Sequence, residues 1–189
     1  MNNKKIILIA FALIALVQMY LPAKMILDRE NVIQTGTEYK FRTAPVDPND
    51  PFRGKYITLD YTENSIKIPK NQIWREREKI YVSLSTDSTG FVKIKSVSKE
   101  EPIDNKTFVK AEVSYIDGNM LIINYPFDRF YMEESKAYDA ELAYRESQRD
   151  TVRVTYALVS IKDGDAVLKD VLIGGISIKK LASTEILTK

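Results

Sequence analysis

The stretch that decides the fold of this chain is FVKAEVSYI-DGN-MLIINY, residues 108–125. Both arms are rich in Val, Ile, Tyr and Phe, and polar and apolar side chains alternate along the first. This period of two is typical of a β-strand and differs from the 3.6-residue period of a helix. Between the arms, Asp117-Gly118-Asn119 supplies the positive φ that a tight turn requires. The stretch therefore predicts a β-hairpin.

The same pattern recurs over most of the chain after residue 36. The other predicted strands are residues 37–43, 55–61, 79–85, 91–97, 152–162 and 166–173. Asp163-Gly164-Asp165 predicts a second hairpin turn, and Gly174-Gly175 precedes a last strand around Ile176 and Ile178. Many short strands with close turns favour a mainly β fold, either an antiparallel barrel or a sandwich.

One segment departs from the strand pattern. Residues 135–148 are strong helix formers, with Tyr138 and Leu142 four positions apart on one apolar stripe and Ala137 and Tyr144 seven apart on a neighbouring one. We therefore expect one short amphipathic helix packed on the sheet.

The N-terminus carries a long apolar segment. Lys4 and Lys5 precede an apolar run that starts at Ile6 and reaches residue 27. Such a run belongs to a cleaved leader, an uncleaved anchor or a buried helix. Residues 18–23 have bulky side chains where a leader peptidase needs small ones, which favours an uncleaved transmembrane helix over residues 6–27.

This helix sets the expected domain organisation. Residues 1–5 would stay in the cytoplasm, residues 28–31 would form a short polar joint, and residues 32–189 would form a β-rich domain outside the cytoplasm. The expected location is the cell membrane, with the domain in the periplasm or at the cell surface. Membrane lipid is then the first predicted partner.

The amino-acid composition excludes several kinds of catalytic and metal site. The chain has no cysteine and no histidine, which excludes disulfides, zinc–thiolate sites, cysteine nucleophiles and the commonest general base. Its net charge of +2 is spread over the sequence, whereas a nucleic-acid-binding protein typically has a concentrated basic stripe. We predict no cofactor, no metal, no nucleic-acid partner and no catalytic residue.

The most informative motif is APVDPNDPFRG, residues 44–54, which leads directly into the strand at 55–61. Three prolines make the loop rigid, and Asp47 and Asp50 are suited to capping its backbone N–H groups. Arg53 is a natural ion-pair partner, and Gly54 allows a positive φ or a close backbone contact. The four residues either shape the loop or line a groove for a ligand or partner.

This motif resembles the signature of the GDYXXLXY family of bacterial membrane-anchored proteins. Gly54, Tyr56, Leu59 and Tyr61 stand at matching positions, while Lys55 replaces the family's Asp. The resemblance continues through Arg129, Tyr131 and Glu134, and through residues 163–164 and 172–175. It implies a single-pass protein with an extracytoplasmic domain of unknown activity, often encoded beside a multi-pass membrane protein, which is therefore a possible partner.

Other functions remain open on the residues alone. Tyr56 and Tyr61 suit either ligand stacking or strand packing, and the chain could be a ligand- or peptide-binding module. Asp47 with Glu134 is a conceivable glycosidase pair. A signal-peptidase-like serine/lysine hydrolase would draw on Ser83, Ser85, Lys93 and Lys95, and would need a hydroxyl and an amine within hydrogen-bonding distance.

Overall fold

The computed structural model describes residues 3–44, 56–69, 72–103, 107–149 and 154–185. Its helices are α1 Asn3–Thr35, α2 Glu134–Arg149 and α3 Ile178–Glu185. Its strands are β1 Thr37–Ala44, β2 Tyr56–Thr58, β3 Asp60–Tyr61, β4 Ser65–Lys67, β5 Lys79–Thr86, β6 Val92–Ser98, β7 Phe108–Asp117, β8 Met120–Asn124, β9 Arg129–Tyr131, β10 Thr155–Lys162, β11 Asp165–Ile173 and β12 Ile176–Ser177.

Helix α1 is apolar and exposed. An 18-residue window within Lys4–Thr35 has a mean hydropathy of 2.4, and none of that window is buried. At about 1.5 Å per residue, the 33 residues of α1 extend over roughly 50 Å. By length and composition the helix can cross a membrane.

The predicted polar joint at residues 28–31 is wrong, because α1 continues without interruption to Thr35. Polar side chains do not end a helix by themselves, and here they form pairs one turn apart. Lys24 Nζ lies 2.9 Å from Asp28 Oδ2, and Gln34 donates to Glu30 over 2.6 Å. The first residue after Pro22 that favours a helix end is Gly36.

The strands form two five-stranded sheets and one two-stranded sheet. The five-stranded orders are β12-β11-β10-β1-β3 and β4-β8-β7-β5-β6, and β2 pairs with β9. All pairs between these strands are antiparallel. Bridges from Lys40 to Phe91 and from Val109 to Gly164 join the two large sheets. The result is mainly β, with a nearly closed antiparallel barrel-like sheet, as the strand pattern predicts.

Both predicted hairpins are present. Asp117 pairs with Met120 around Gly118, whose φ is +60°. Lys162 pairs with Asp165 around a turn in which Asp163 and Gly164 have φ of +50° and +82°. Two consecutive positive φ angles match the twist of the flanking strands, which is why Asp-Gly is favoured there.

The predicted strand over residues 55–61 is divided in two. Ile57, Leu59 and Tyr61 are buried on one face, as the alternation predicts. However, β2 pairs with β9, whereas β3 pairs with β1. The division falls at Leu59, whose N–H donates to the carbonyl of Asp128 over 2.7 Å.

The C-terminal third also differs in detail. Helix α2 is present, and among its described side chains Ala140, Tyr144 and Ser147 are buried, whereas Leu142 is exposed. The predicted apolar face is therefore wrong at Leu142, and the Tyr138 side chain lies outside the described part. The predicted last strand is only two residues long, because the fully buried Ile178 begins a further helix, α3. Helix α3 was not predicted, and it packs against α2.

Candidate functional site

The two sequence segments that carry the motif residues meet in the small sheet β2–β9. Tyr56 lies opposite Tyr131, and Thr58 lies opposite Arg129. Between these pairs, Ile57 and the facing Phe130 are both buried and anchor the sheet to the core. Because side chains alternate across a strand, the flanking residues point to the opposite, outer side.

Tyr56, Arg129 and Tyr131 form a connected outer patch, the Tyr–Arg surface. The rings of Tyr56 and Tyr131 have centroids 5.2 Å apart, and Arg129 Cζ lies 5.2 Å from the centroid of the Tyr56 ring. The hydrogen bond to the Tyr131 side chain, followed by the Asp128 carboxylate 3.9 Å away, raises the pKa of Arg129. Tyr131 remains 61% exposed. The patch offers two aromatic faces and a permanent cation to a partner. It is an open surface that does not enclose a ligand.

Leu59 and Tyr61 have a different environment. Both are buried, and the Tyr61 hydroxyl donates to the carbonyl of Phe127 over 2.7 Å. The Tyr61 ring packs edge-on against Phe41, Tyr125 and Phe127, with centroids 5.4 to 5.8 Å apart. Burial raises the pKa of Tyr61 well above its ordinary value. These residues hold the segment before β9 against the core and are inaccessible to a partner.

Part of the predicted site lies outside the described residues, namely Asp47, Asp50, Arg53 and Gly54. Glu134 begins α2, but its side chain also lies outside the description, and so does the suggested pair of Asp47 with Glu134. The neighbouring Glu133 carboxylate lies 3.2 Å from Lys136 Nζ.

The comparison with family models agrees with the motif. A model described as GDYXXLXY protein matches residues 18–171, most of the chain. The chain belongs to the GDYXXLXY family. Searches of curated proteins and of solved structures give no match. The family membership predicted from the motif at residues 54–61 is thereby confirmed.

In this GDYXXLXY protein the motif residues divide by role. The Leu and the second Tyr of the signature, Leu59 and Tyr61, belong to the core, whereas Tyr56 belongs to the Tyr–Arg surface. Alternation along the strand explains the division, because Tyr56 is an odd number of positions from both buried residues. Lys55, which replaces the family's Asp, lies outside the described residues.

The serine and lysine residues of the hydrolase hypothesis do not form a catalytic pair in the described structure. Ser85 Oγ lies 3.4 Å from the backbone carbonyl of Lys93, not from its amine. The Lys93 amine instead forms an ion pair with Glu63. Ser83 lies opposite Ser96. In the described structure, neither Ser83 nor Ser85 forms a hydrogen bond with the amine of Lys93 or Lys95.

Metal binding has no support in the described part of this GDYXXLXY protein. Within residues 3–44, 56–69, 72–103, 107–149 and 154–185, no group of three Asp or Glu side chains could hold an ion.

A cleft that the sequence reasoning missed lies beside the β7–β8 turn. Its volume is about 760 Å³, and its lining residues are Ile68, Pro69, Gln72, Ile73, Trp74, Ile116, Gly118 and Asn119. Ile73 is 80% exposed at its edge. The Trp74 indole N–H is buried and has no acceptor among the described residues, and Lys99 Nζ lies 5.0 Å from the centroid of its ring. The available sequence signal was the adjacent Ile73-Trp74 in a segment without strand periodicity.

Proposed function

We propose that this GDYXXLXY protein is a single-pass membrane protein whose extracytoplasmic β domain binds another membrane protein. The observation that supports it most directly is the exposure of α1. Its large apolar side chains from Ile6 to Leu27 are almost all more than half exposed. In water such a surface would be unfavourable by about 25 cal/mol per Å² of apolar area, whereas lipid removes this cost.

The charges that precede the apolar run support a cytoplasmic N-terminus. Lys4 and Lys5 lie directly before the apolar run. Lys and Arg residues beside an apolar helix tend to remain on the cytoplasmic side of the membrane. A cytoplasmic N-terminus then puts the β domain on the other side of the membrane.

The partner-binding role is supported by the Tyr–Arg surface. Tyrosine and arginine are enriched at the positions that contribute most to protein–protein binding. Here Tyr56 and Arg129 are already held by neighbouring rings and hydrogen bonds, so a partner would order few additional side chains. A multi-pass membrane protein in the same bilayer is the partner that we favour.

Topology and binding are tested in separate experiments. Since the chain has no cysteine, single variants Asn3→Cys and Asn119→Cys report on the two sides of the membrane through a membrane-impermeant maleimide. We expect labelling at position 119 in spheroplasts, and labelling at position 3 only after permeabilisation. The opposite pattern would reverse the proposed orientation.

Binding is tested with a photo-crosslinking amino acid at Tyr131, and with the same residue at Tyr115 as a control. The two tyrosines are comparably exposed, at 61% and 51%, but Tyr115 lies on β7, which is not part of the β2–β9 sheet. We expect an adduct with a membrane protein from position 131 and none from position 115. Equal adducts, or none from either position, would contradict a partner site at this surface.

A ligand-binding module is the second candidate, and the Trp74 cleft favours it. Trp74 is the only tryptophan in the chain, so its fluorescence reports on this cleft alone. We expect an apolar naphthalene dye to change Trp74 emission, and Ile73→Gln to weaken that effect several-fold. Ile176→Gln is the matched control, since Ile176 is also exposed but lies on β12. Identical titrations for both variants would remove the cleft as a ligand site.

A further inference from the structure

Helix α1 enters the β domain without a flexible segment. The N–H of Gly36 donates to the carbonyl of Val32 over 3.0 Å, and the buried Ser160 hydroxyl donates to the same carbonyl over 2.7 Å. A Cβ at Gly36 would lie 2.5 Å from Ser160 Oγ and 2.5 Å from the Val32 oxygen. The close approach that only glycine permits therefore holds the helix end against β10.

The β10–β11 hairpin extends past this junction and runs back beside the helix. Ile161 pairs with Thr37 at the start of β1, so residues 162–165 have no β1 partner and lie alongside α1 instead. The Lys162 amine donates to Asn31 Oδ1 and Thr35 Oγ1, over 3.1 and 2.8 Å. Closer to the helix N-terminus, Arg29 Nη1 donates to the carbonyl of Ala166 over 3.1 Å. The hairpin thus approaches the apolar part of the helix.

The height of the turn above the lipid follows from helix geometry. The apolar run ends at Leu27, so Arg29 lies about 3 Å further along the axis. Helical side chains point toward the N-terminus, which places the Ala166 carbonyl level with the Arg29 backbone or nearer to the lipid. Each headgroup layer is roughly 5 to 8 Å thick, outside a hydrocarbon core of about 30 Å. In a bilayer spanned by residues 6–27, the turn would reach the headgroup layer.

The charges near the turn are balanced. Arg29, Lys110 and Lys162 are accompanied by Glu30, Asp163 and Asp165. Lys110 Nζ lies 3.4 Å from Asp165 Oδ1, and the Lys110 N–H donates to the Gly164 carbonyl over 2.9 Å. Such a surface suits a polar zwitterionic headgroup layer and gains little from anionic lipid, which attracts clusters of basic residues.

We propose that the turn at residues 162–165 rests in the lipid headgroup layer of the outer leaflet, so that α1 and the hairpin together fix the height and tilt of the β domain. This rests on the membrane anchoring proposed above. Strand β7 leads from Val109, bridged to Gly164, to Asp117 near the Trp74 cleft, a distance of about 26 Å at 3.3 Å per residue. The cleft is thus separated from the turn by most of the length of β7.

The test uses the full-length chain in phosphatidylcholine nanodiscs, with a nitroxide on single-cysteine variants at three positions. For each label, two collision rates are compared. One is the rate of collision of the nitroxide with oxygen, which concentrates in lipid, and the other is its rate of collision with a water-soluble nickel complex. We expect Leu13→Cys to report lipid, Asn119→Cys to report water, and Asp163→Cys to show nickel accessibility several-fold below that of position 119. Adding phosphatidylglycerol should leave the value at position 163 unchanged.

The outcomes separate the two proposals. If the label at position 13 reports lipid while the label at position 163 is as accessible to nickel as the label at position 119, the membrane anchoring is supported and the proposed headgroup contact is wrong. If position 13 reports water, the anchoring itself is wrong. If adding phosphatidylglycerol moved the label at position 163 much deeper into the bilayer, the contact would depend on lipid charge. That result would contradict a contact set by helix geometry.

A helix insertion provides the matched control. About two turns of polar helix-forming residues between Leu27 and Asp28 would lift the hairpin by roughly 10 Å and leave every contact of residues 29–36 in place. We expect the label at position 163 to become as accessible to nickel as the label at position 119. Retention of the original depth would show that α1 does not set the height of the domain.

Discussion

The hydroxyl of Ser160 donates a hydrogen bond of 2.7 Å to the carbonyl oxygen of Val32, 128 positions earlier in the chain. Both residues are buried, with exposures of 0% and 6%. The Val32 carbonyl also accepts from the Gly36 N–H at the helix C-terminus, so the strand side chain supplies a second donor to it. The apolar helix and the β domain are therefore one structural unit.

Ser160→Ala should lower the free energy of unfolding by about 1 kcal/mol, because a buried hydrogen bond is lost while Gly36 still donates to the Val32 carbonyl. Denaturant unfolding in detergent, followed by Trp74 fluorescence, measures the change. Ser98→Ala is the control, since Ser98 bonds the Glu100 carbonyl at the exposed surface. A loss for Ser98→Ala as large as that for Ser160→Ala would argue against a special role for the junction.

Gly36→Ala should cost about 1 to 3 kcal/mol of stability, because the added methyl group has no room between Ser160 Oγ and the Val32 oxygen. The same unfolding measurement applies. Combined with Ser160→Ala, the cost of Gly36→Ala should shrink, since one of the two clashing atoms is gone. Strict additivity of the two substitutions would show that they do not share this contact.

Tyr61→Phe should destabilise the protein by about 1 kcal/mol through loss of the hydrogen bond to the Phe127 carbonyl. Tyr131→Phe should leave the melting temperature nearly unchanged, because that side chain is largely exposed. Thermal unfolding by circular dichroism distinguishes the two variants. If Tyr61→Phe were neutral, the signature tyrosine would not be holding the segment before β9.

Arg129→Ala should abolish the crosslink from position 131 and leave the melting temperature unchanged, because Arg129 lies at the surface and contributes to binding through its charge. Arg129→Lys should retain part of the yield, since an ammonium keeps the charge but loses the planar stacking of a guanidinium. The two yields are compared after photolysis under identical conditions. A full yield from Arg129→Ala would remove this residue from the proposed interface.

Stability should decline above pH 10. Burial raises the pKa of Tyr144 to about 12, and burial also raises the pKa values of Tyr61 and Tyr125. Tyrosine in an unfolded chain titrates near pH 10, so above that pH the unfolded state loses protons that the folded state retains, which favours unfolding. The stabilisation is complete below pH 10 and is lost as the pH rises toward the folded pKa values.

Tyr144 alone should account for roughly 2 to 3 kcal/mol of this loss by pH 12. Urea unfolding midpoints between pH 9 and pH 12 measure it. Tyr144→Phe should flatten that pH dependence, whereas Tyr115→Phe, which removes an exposed phenol, should not. Equal pH dependence in both variants would mean that Tyr144 ionises as readily folded as unfolded.

Several features of the fold were predictable because they depend on neighbouring residues. The turn at Asp163-Gly164 follows from the φ angles that Asp and Gly tolerate, and the buried face of Ile57, Leu59 and Tyr61 follows from alternation. The family signature also identified the segments that meet in the β2–β9 sheet. The cleft beside Trp74 was not predictable, because its walls come from segments about 45 residues apart in the sequence.

The amino-acid sequence by itself determined the mainly β class, the two hairpins, the amphipathic helix α2 and an apolar helix long enough to cross a membrane. Only the tertiary structure decided that α1 continues to Thr35, that the signature strand divides at Leu59, and that α2 exposes Leu142. The physical reason is the range of the interactions. Periodicity and turn chemistry act within a few residues, whereas the contacts of Leu59 with Asp128 and of Val32 with Ser160 exist only once distant segments have packed together.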